Sequence, residues 1–298
     1  MKKFISAFLI LIAIANVTRA QFSAAVTSQP HDLNFSAGRD FWLAEMSNQW
    51  GDPSQQPSQT ISITSPRNTV AHIQYAGQTY TDSIKENLSV TISIPLSMQL
   101  ESSGIVENKS IHIWSEDAPL IIYNMNRLRY SSDGEYVIPT IGWDTEYVVA
   151  GYGAPYPDSP DDYPSECAIV ADQDSTIIQI TPSCNCRQAT SGNVAGDTAA
   201  SIVVFPKGVV KTFTMNKGQT LQLLSVLATN PDGFDLTGTI IHSNKSIGVF
   251  GGSSFPRIPN NFPYRDHIED MMPPVRTWGT SYMGTAFAAP AGQHTYHA

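Results

Sequence analysis

Charge is scarce in this sequence: Asp, Glu, Lys and Arg make up 14% of its 298 residues, and the 17 basic ones are scattered. That excludes nucleic acid as a partner, because a phosphate backbone is held by clustered Lys and Arg that displace counterions. With a formal net charge of −9 and so few ions, most of the polar surface must come from Ser, Thr, Asn and Gln. Cysteine is rarer still. Cys167, Cys184 and Cys186 allow one disulfide and leave one thiol over. Only Asn185 separates Cys184 from Cys186, which strains their direct pairing, so Cys167 with either of them is the expected bridge. A Cys-x-Cys metal half-site is the other use of that spacing, but no second half-site follows, and no metal or cofactor is expected. Long apolar runs are missing beyond the first twenty residues: Ile202 to Phe205 and Leu221 to Leu227 are both broken by polar residues within a strand's length. No transmembrane segment is expected, and no helical periodicity persists outside the start of the chain.

The start has a pattern of its own. Lys2 and Lys3 precede an apolar run from Phe4 to Val17, and Thr18-Arg19-Ala20 places compact residues before a cut at Gln21. This reads as a secretory signal over residues 1–20, too short for a spanning helix and containing Asn16. The chain is expected to be secreted or displayed at a cell surface, and its plain Met1-Lys2-Lys3 start has a bacterial look.

Beyond it, short runs rich in Ile, Val, Thr, Tyr and Phe recur: Thr60 to Thr64, Ser89 to Ile94, Ser110 to Trp114, Thr176 to Thr181, Lys211 to Met215 and Thr239 to His242. In Val90-Thr91-Ile92-Ser93-Ile94 the alternation is strict, so every second side chain faces one side of a half-buried sheet. Ser65-Pro66-Arg67-Asn68, Asp172-Gln173-Asp174 and Asn216-Lys217-Gly218 are turn sequences between such runs. The chain is all-β, and its 41% hydrophobic content is ample for a sizeable core.

Three segments match three later ones in the same order. Gly38 to Ala44 matches Asp144 to Ala150, an acidic residue leading an aromatic strand that ends in Ala. Ile61 to Ile73 matches Ala168 to Ile180 as strand, polar turn and strand. Ile111 to Tyr123 matches Thr239 to Phe250 with one deletion. Trp278 to Met283 then echoes Gly142 to Val148. The expected organisation is therefore tandem antiparallel β-sandwich-like repeats at 33–141 and 142–274, with a third begun at 275–298, which makes the sequence a fragment of a longer chain. A propeller-like arrangement of sheets is the other architecture that short repeated strands permit.

Six segments in order carry a resemblance: Asp40-Phe41-Trp42-Leu43-Ala44; Tyr136 to Thr140 with Gly142 and Glu146-Tyr147; Ile169-Val170-Ala171; Asp235 to Thr239; Val249 to Gly252; and Asp266-His267-Ile268-Glu269 through Pro273-Pro274 to Trp278-Gly279. The chain resembles the N-terminal domain of IgGFc-binding proteins over residues 21–298. The resemblance implies an extracellular β-rich binding module; immunoglobulin binding itself is a separate claim. In that family a Cys often precedes the Asp-His pair. Here Arg265 stands in its place, with Ser254 and Phe255 where its partner is expected, so the resemblance implies that a disulfide pinning this loop is absent.

No catalytic residue is expected. The densest polar cluster, Arg265 to Asp270, offers Asp266, His267 and Glu269 as binding residues, while the bland alternative leaves Asp266 and His267 satisfying loop backbone and Glu269 and Asp270 facing solvent. Asp158, Asp161, Asp162 and Glu166 could gather Ca²⁺, although their spacing fits no fixed calcium loop. Ser253-Ser254 follows Gly251-Gly252, but Phe255-Pro256 comes next, where a nucleophile elbow needs a second glycine and a helix. Tyr152, Tyr156 and Tyr163, with Trp278 and Trp50, could form a contact surface, since Tyr and Trp dominate binding hot spots. Together these readings favour a module that recognises an extracellular protein or glycan without chemistry. A secreted glycan hydrolase, which needs paired carboxylates in a cleft, and a structural surface-layer or stalk component are the alternatives.

Overall fold

The computed structural model describes residues 36–48, 58–129, 131–153, 163–187, 203–226, 234–258 and 264–284. Residues 1–20, read in sequence as a secretory signal, lie outside them, as do Trp50, Tyr156 and the acidic residues Asp158, Asp161 and Asp162. The first half supplies β1 (Asp40–Leu43), β2 (Ser58–Thr64), β3 (Thr69–Tyr75), β4 (Gln78–Ile84), β5 (Ser89–Ile94), β6 (Val106–Glu107), β7 (Ile111–Trp114), β8 (Ile121–Leu128) and β9 (Ser131–Tyr136). The second supplies β10 (Asp144–Val148), β11 (Ser165–Ala171), β12 (Thr176–Thr181), β13 (Cys186–Arg187), β14 (Val203–Phe205), β15 (Lys211–Met215), β16 (Thr220–Ser225), β17 (Ile240–Ser253) and β18 (Ile268–Met271). The fold is all-β and every strand pairing is antiparallel. Among the described residues no helix is long and apolar enough to cross a membrane.

In the first half, two four-stranded sheets in the orders β1-β7-β3-β4 and β5-β2-β8-β9 enclose a common core. Alternation builds it: Ile61 and Ile63 of β2, Ile73 of β3, Ile111 and Ile113 of β7 and Ile122 of β8 all point into it and are at most 2% exposed. The β3–β4 hairpin closes on Ala76-Gly77, both at positive φ, the two-residue geometry whose twist suits paired strands.

The nine strands of the second half, with β6 of the first, form one ten-stranded sheet, yet their pairings fall into the same two orders. β10, β17, β12 and β15 are neighbours in sequence of pairing, as are β16, β11, β17 and β18. Register agrees in detail. Ile113 stands between Phe41 and Ile73, and Ile241 between Tyr147 and Ile180; Ile63 pairs with Ile122, and Ile169 with Val249. The pairing also moves one sequence match by a residue, setting Ile63 against Ile169 rather than Val170.

What joins the second half into a single sheet is β17. Thr239 to His242 reads in sequence as a short strand, but the strand runs on through fourteen residues to Ser253 and serves both sheets. The corresponding stretch of the first half is broken at Ser115 to Leu120, where Pro119 has no N–H to give a ladder. The two halves also meet directly: β6 pairs with β16, and Phe250 and Met271 join the first core.

Candidate functional site

Glu45 to Asn48, just past the end of β1, run between the two halves as a polar strap. The Ser47 amide donates to Gln222 Oε1 at 3.1 Å, and Asn48 Nδ2 donates to Asn126 Oδ1 at 3.1 Å. The strap lies beside the line where β9 meets β18, and there the polar groups concentrate. The Glu269 amide donates to Asp133 Oδ2 at 2.9 Å, and the Ser132 amide to Asp266 Oδ1 at 2.6 Å, so side chains of each strand segment satisfy backbone of the other.

At the centre is His267. Its Nε2 lies 3.1 Å from Glu269 Oε2, with both side chains at most 1% exposed, and its Nδ1 faces the Ser254 carbonyl at 3.3 Å. Burial alone would lower the imidazolium pKa, but the Glu269 hydrogen bond and charge, with Glu166 and Asp133 adding to them, outweigh it and lift His267 to about 9. His267 is therefore the cation of this layer at neutral pH. Around it stand Glu45 and Glu135, both buried. Burial, and then the Glu269 charge, push each carboxyl well above the usual 4.5, and each is held toward Asn124 Nδ2, at 3.3 Å from Glu45 Oε2 and 3.4 Å from Glu135 Oε1. Glu45 Oε1, Glu135 Oε2, Glu269 Oε1 and Asn124 Oδ1 have no hydrogen-bond partner. A proton on Glu45 and on Glu135 removes the repulsion that three buried carboxylates would otherwise suffer.

An open cleft of about 410 Å³ lies over this layer, lined by Asp133, Glu135, Glu269 and Asp270 with Tyr136, Gly251 and Gly252 among others. The two glycines allow the close approach of neighbouring chain: a Cβ on Gly252 would stand 2.0 Å from the Ile268 carbonyl oxygen, and one on Gly251 would stand 2.3 Å from that of Ala150. Among the described residues no group of three or more His, Cys, Asp or Glu side chains is set to hold a metal ion.

The structure thus brings Asp266, His267 and Glu269 together. Asp266 stays exposed, with Oδ1 also accepting from the His267 amide at 3.0 Å. Glu269 does not face solvent: at 5% exposure it belongs to the buried layer. Tyr163 flanks the same loop, its ring edge-on to Phe255 at 5.0 Å with the Arg265 guanidinium 4.3 Å above it. These contacts hold the loop at the positions where the resemblance places a disulfide in other members. Tyr152 is half-buried, and Trp278 sits on the turn after β18, its indole N–H donating to the Pro273 carbonyl at 3.2 Å. Glu166, grouped in sequence with the acidic loop, is instead fully buried in β11. Ser253 is buried at the end of β17 and donates to the Pro164 carbonyl at 3.0 Å.

The three cysteines are free thiols in the structure, and the bridge from Cys167 to Cys184 or Cys186 is not formed. All line the second core, where burial pushes the Cys167 thiol up to about 12 and the neighbouring Cys184, with burial, raises Cys186. Sequence reasoning missed Glu45, Glu135 and Asn124. Asn124 shares its inward face of β8 with Ile122, Asn126 and Leu128, and Glu135 its face of β9 with Ser131 and Asp133, so the apolar alternation is broken where these residues sit.

A search of curated proteins and one of solved structures match nothing. The profile of the family described as IgGFc binding protein matches residues 133–297. The match covers more than half of the chain and runs from β9 through β18, taking in the cleft with Glu135, His267 and Glu269 of the polar layer, and on that ground the chain belongs to the IgGFc-binding protein family.

Proposed function

We propose that the chain is an exported module that recognises an extracellular protein by binding alone. The observation that carries this reading is the family match over 133–297, the segment that contains the cleft-lining carboxylates. The burial of the His267–Glu269 pair supports binding over hydrolysis, since a general acid or base must touch the bond it breaks, and these side chains lie beneath the surface. The cleft presents the exposed Asp270 above buried carboxyls, a setting that favours a partner segment carrying basic side chains.

The test is a panel of extracellular proteins, the Fc part of immunoglobulin G among them, and of glycans, probed with the mature chain by biolayer interferometry. A protein ligand is expected, and Asp270→Lys is expected to weaken its binding by about tenfold or more through charge reversal at the cleft mouth. Binding of glycans only, or cleavage of any of them, would overturn the reading.

A further inference from the structure

The segment Pro273 to Met283 copies Ile138 to Val148 bond for bond. Both begin with a proline at nearly the same backbone angles, φ −63° and ψ 154° at Pro139 and φ −65° and ψ 152° at Pro274, and both continue as a single 3₁₀ turn. The amides of Gly142 and Thr277 donate to those prolines' carbonyls at 2.7 and 2.9 Å, and the Trp143 and Trp278 amides donate to Thr140 and Val275, each at 3.1 Å. Each indole N–H reaches back five residues, to Ile138 at 3.0 Å and to Pro273 at 3.2 Å. Even the next step agrees: the Asp144 amide donates to the Tyr147 hydroxyl, and the Gly279 amide to the Tyr282 hydroxyl. The copy is anchored, because Arg276 bonds to the Asp144 carboxylate and the Trp143 carbonyl at 2.6 and 3.0 Å.

The surroundings differ completely. Trp143 lies over Gly248 of β17, so closely that a Cβ there would come within 2.7 Å of the indole, and Tyr147 donates to the Ile247 carbonyl at 2.7 Å while β10 pairs with β17. Trp143 and Tyr147 are 4% and 1% exposed. Trp278, Tyr282 and Met283 are 48%, 77% and 93% exposed. The segment thus keeps the local bonds of a strand that is buried elsewhere in the chain while leaving its large apolar side chains in water.

We infer that Pro273–Met283 is the docking strand for a further β-unit of this same fold. That unit must present a long strand of the β17 type, with a glycine or other small residue for Trp278 to cover and, beside it, a free carbonyl for the Tyr282 hydroxyl. The inference is independent of what the cleft binds.

The test inserts a second copy of residues 149–283 between Met283 and Gly284 of the full chain, which supplies such a strand. Amide exchange at 279–283 is expected to slow at least 100-fold relative to the parent chain, and Tyr282→Ala in the extended chain is expected to reverse this. Trp278 should lose its access to a soluble fluorescence quencher. An inserted copy that folds, judged by exchange protection of its own strands, while 279–283 stay unprotected would overturn the inference. So would a copy that remains unfolded.

Discussion

β9 and β18 close the same strand order in the two halves, yet they turn opposite sets of residues inward. By register His267 and Glu269 of the second half correspond to Ser132 and Gly134 of the first, which are exposed, whereas Glu135, the inward residue of β9, corresponds to the exposed Asp270. The polar layer is therefore not a feature that each half carries separately. It arises where the two corresponding strands meet, with carboxyls arriving from both sides and one cation, His267, between them. A buried ion pair is weak evidence for stability by itself, but breaking one by removing a single partner is costly.

The largest effect expected from this comparison concerns the glycines of the two strand pairs. Gly252→Ala drives a Cβ into the Ile268 carbonyl and is expected to cost about 3 kcal/mol or more, or to prevent folding. Gly134→Ala, whose Cβ would meet the movable Met125 side chain and the Asn124 carbonyl at 2.9 Å, is expected to cost about 1 kcal/mol. Urea unfolding of both variants checks the order, and equal costs would break the comparison.

Next come the carboxyls. Glu269→Gln strips His267 of its counter-charge and is expected to destabilise by about 3 kcal/mol, whereas Glu135→Gln exchanges a neutral acid for a neutral amide and is expected to stay within about 1 kcal/mol. Thermal melts of the two variants at neutral pH should differ accordingly.

A smaller, graded effect concerns pH. Glu45, Glu135 and His267 all bind their protons more tightly in the folded chain than at their ordinary values of 4.5, 4.5 and 6.5, so the folded state carries more protons and stability falls as pH rises. The contribution of each group is fully present below its ordinary value and is lost as pH climbs through the folded one. Calorimetric melts between pH 5 and pH 9 should drop by roughly 5–10 °C, and Glu135→Gln should flatten the lower part of that slope.

Much of the scaffold is legible in the residues. The alternation of β2 and β5 and the turn residues between strands identify an all-β chain, and the Asp266 to Glu269 cluster points to the site. Less visible is what depends on partners far away in sequence. The continuity of β17 depends on Ser243 to Ser246 lacking the proline that interrupts the first half, a difference of one deletion. The two-residue β6 has no pattern of its own and exists because β16 offers it an edge. Glu45 and Glu135 are buried against the habit of their residue type, since their charge is removed by protonation instead of exposure. Trp278, grouped in sequence with Tyr152, Tyr156 and Tyr163, stands on the turn after β18 and does not line the cleft.

The account turns on His267 being the buried cation that reconciles the carboxyls of the two strands. A histidine-selective NMR titration of the intact chain measures this directly. His267 should remain protonated through neutrality and titrate near pH 9, shifting downward in Glu269→Gln. Titration at or below its ordinary 6.5 in the wild-type chain would contradict the account.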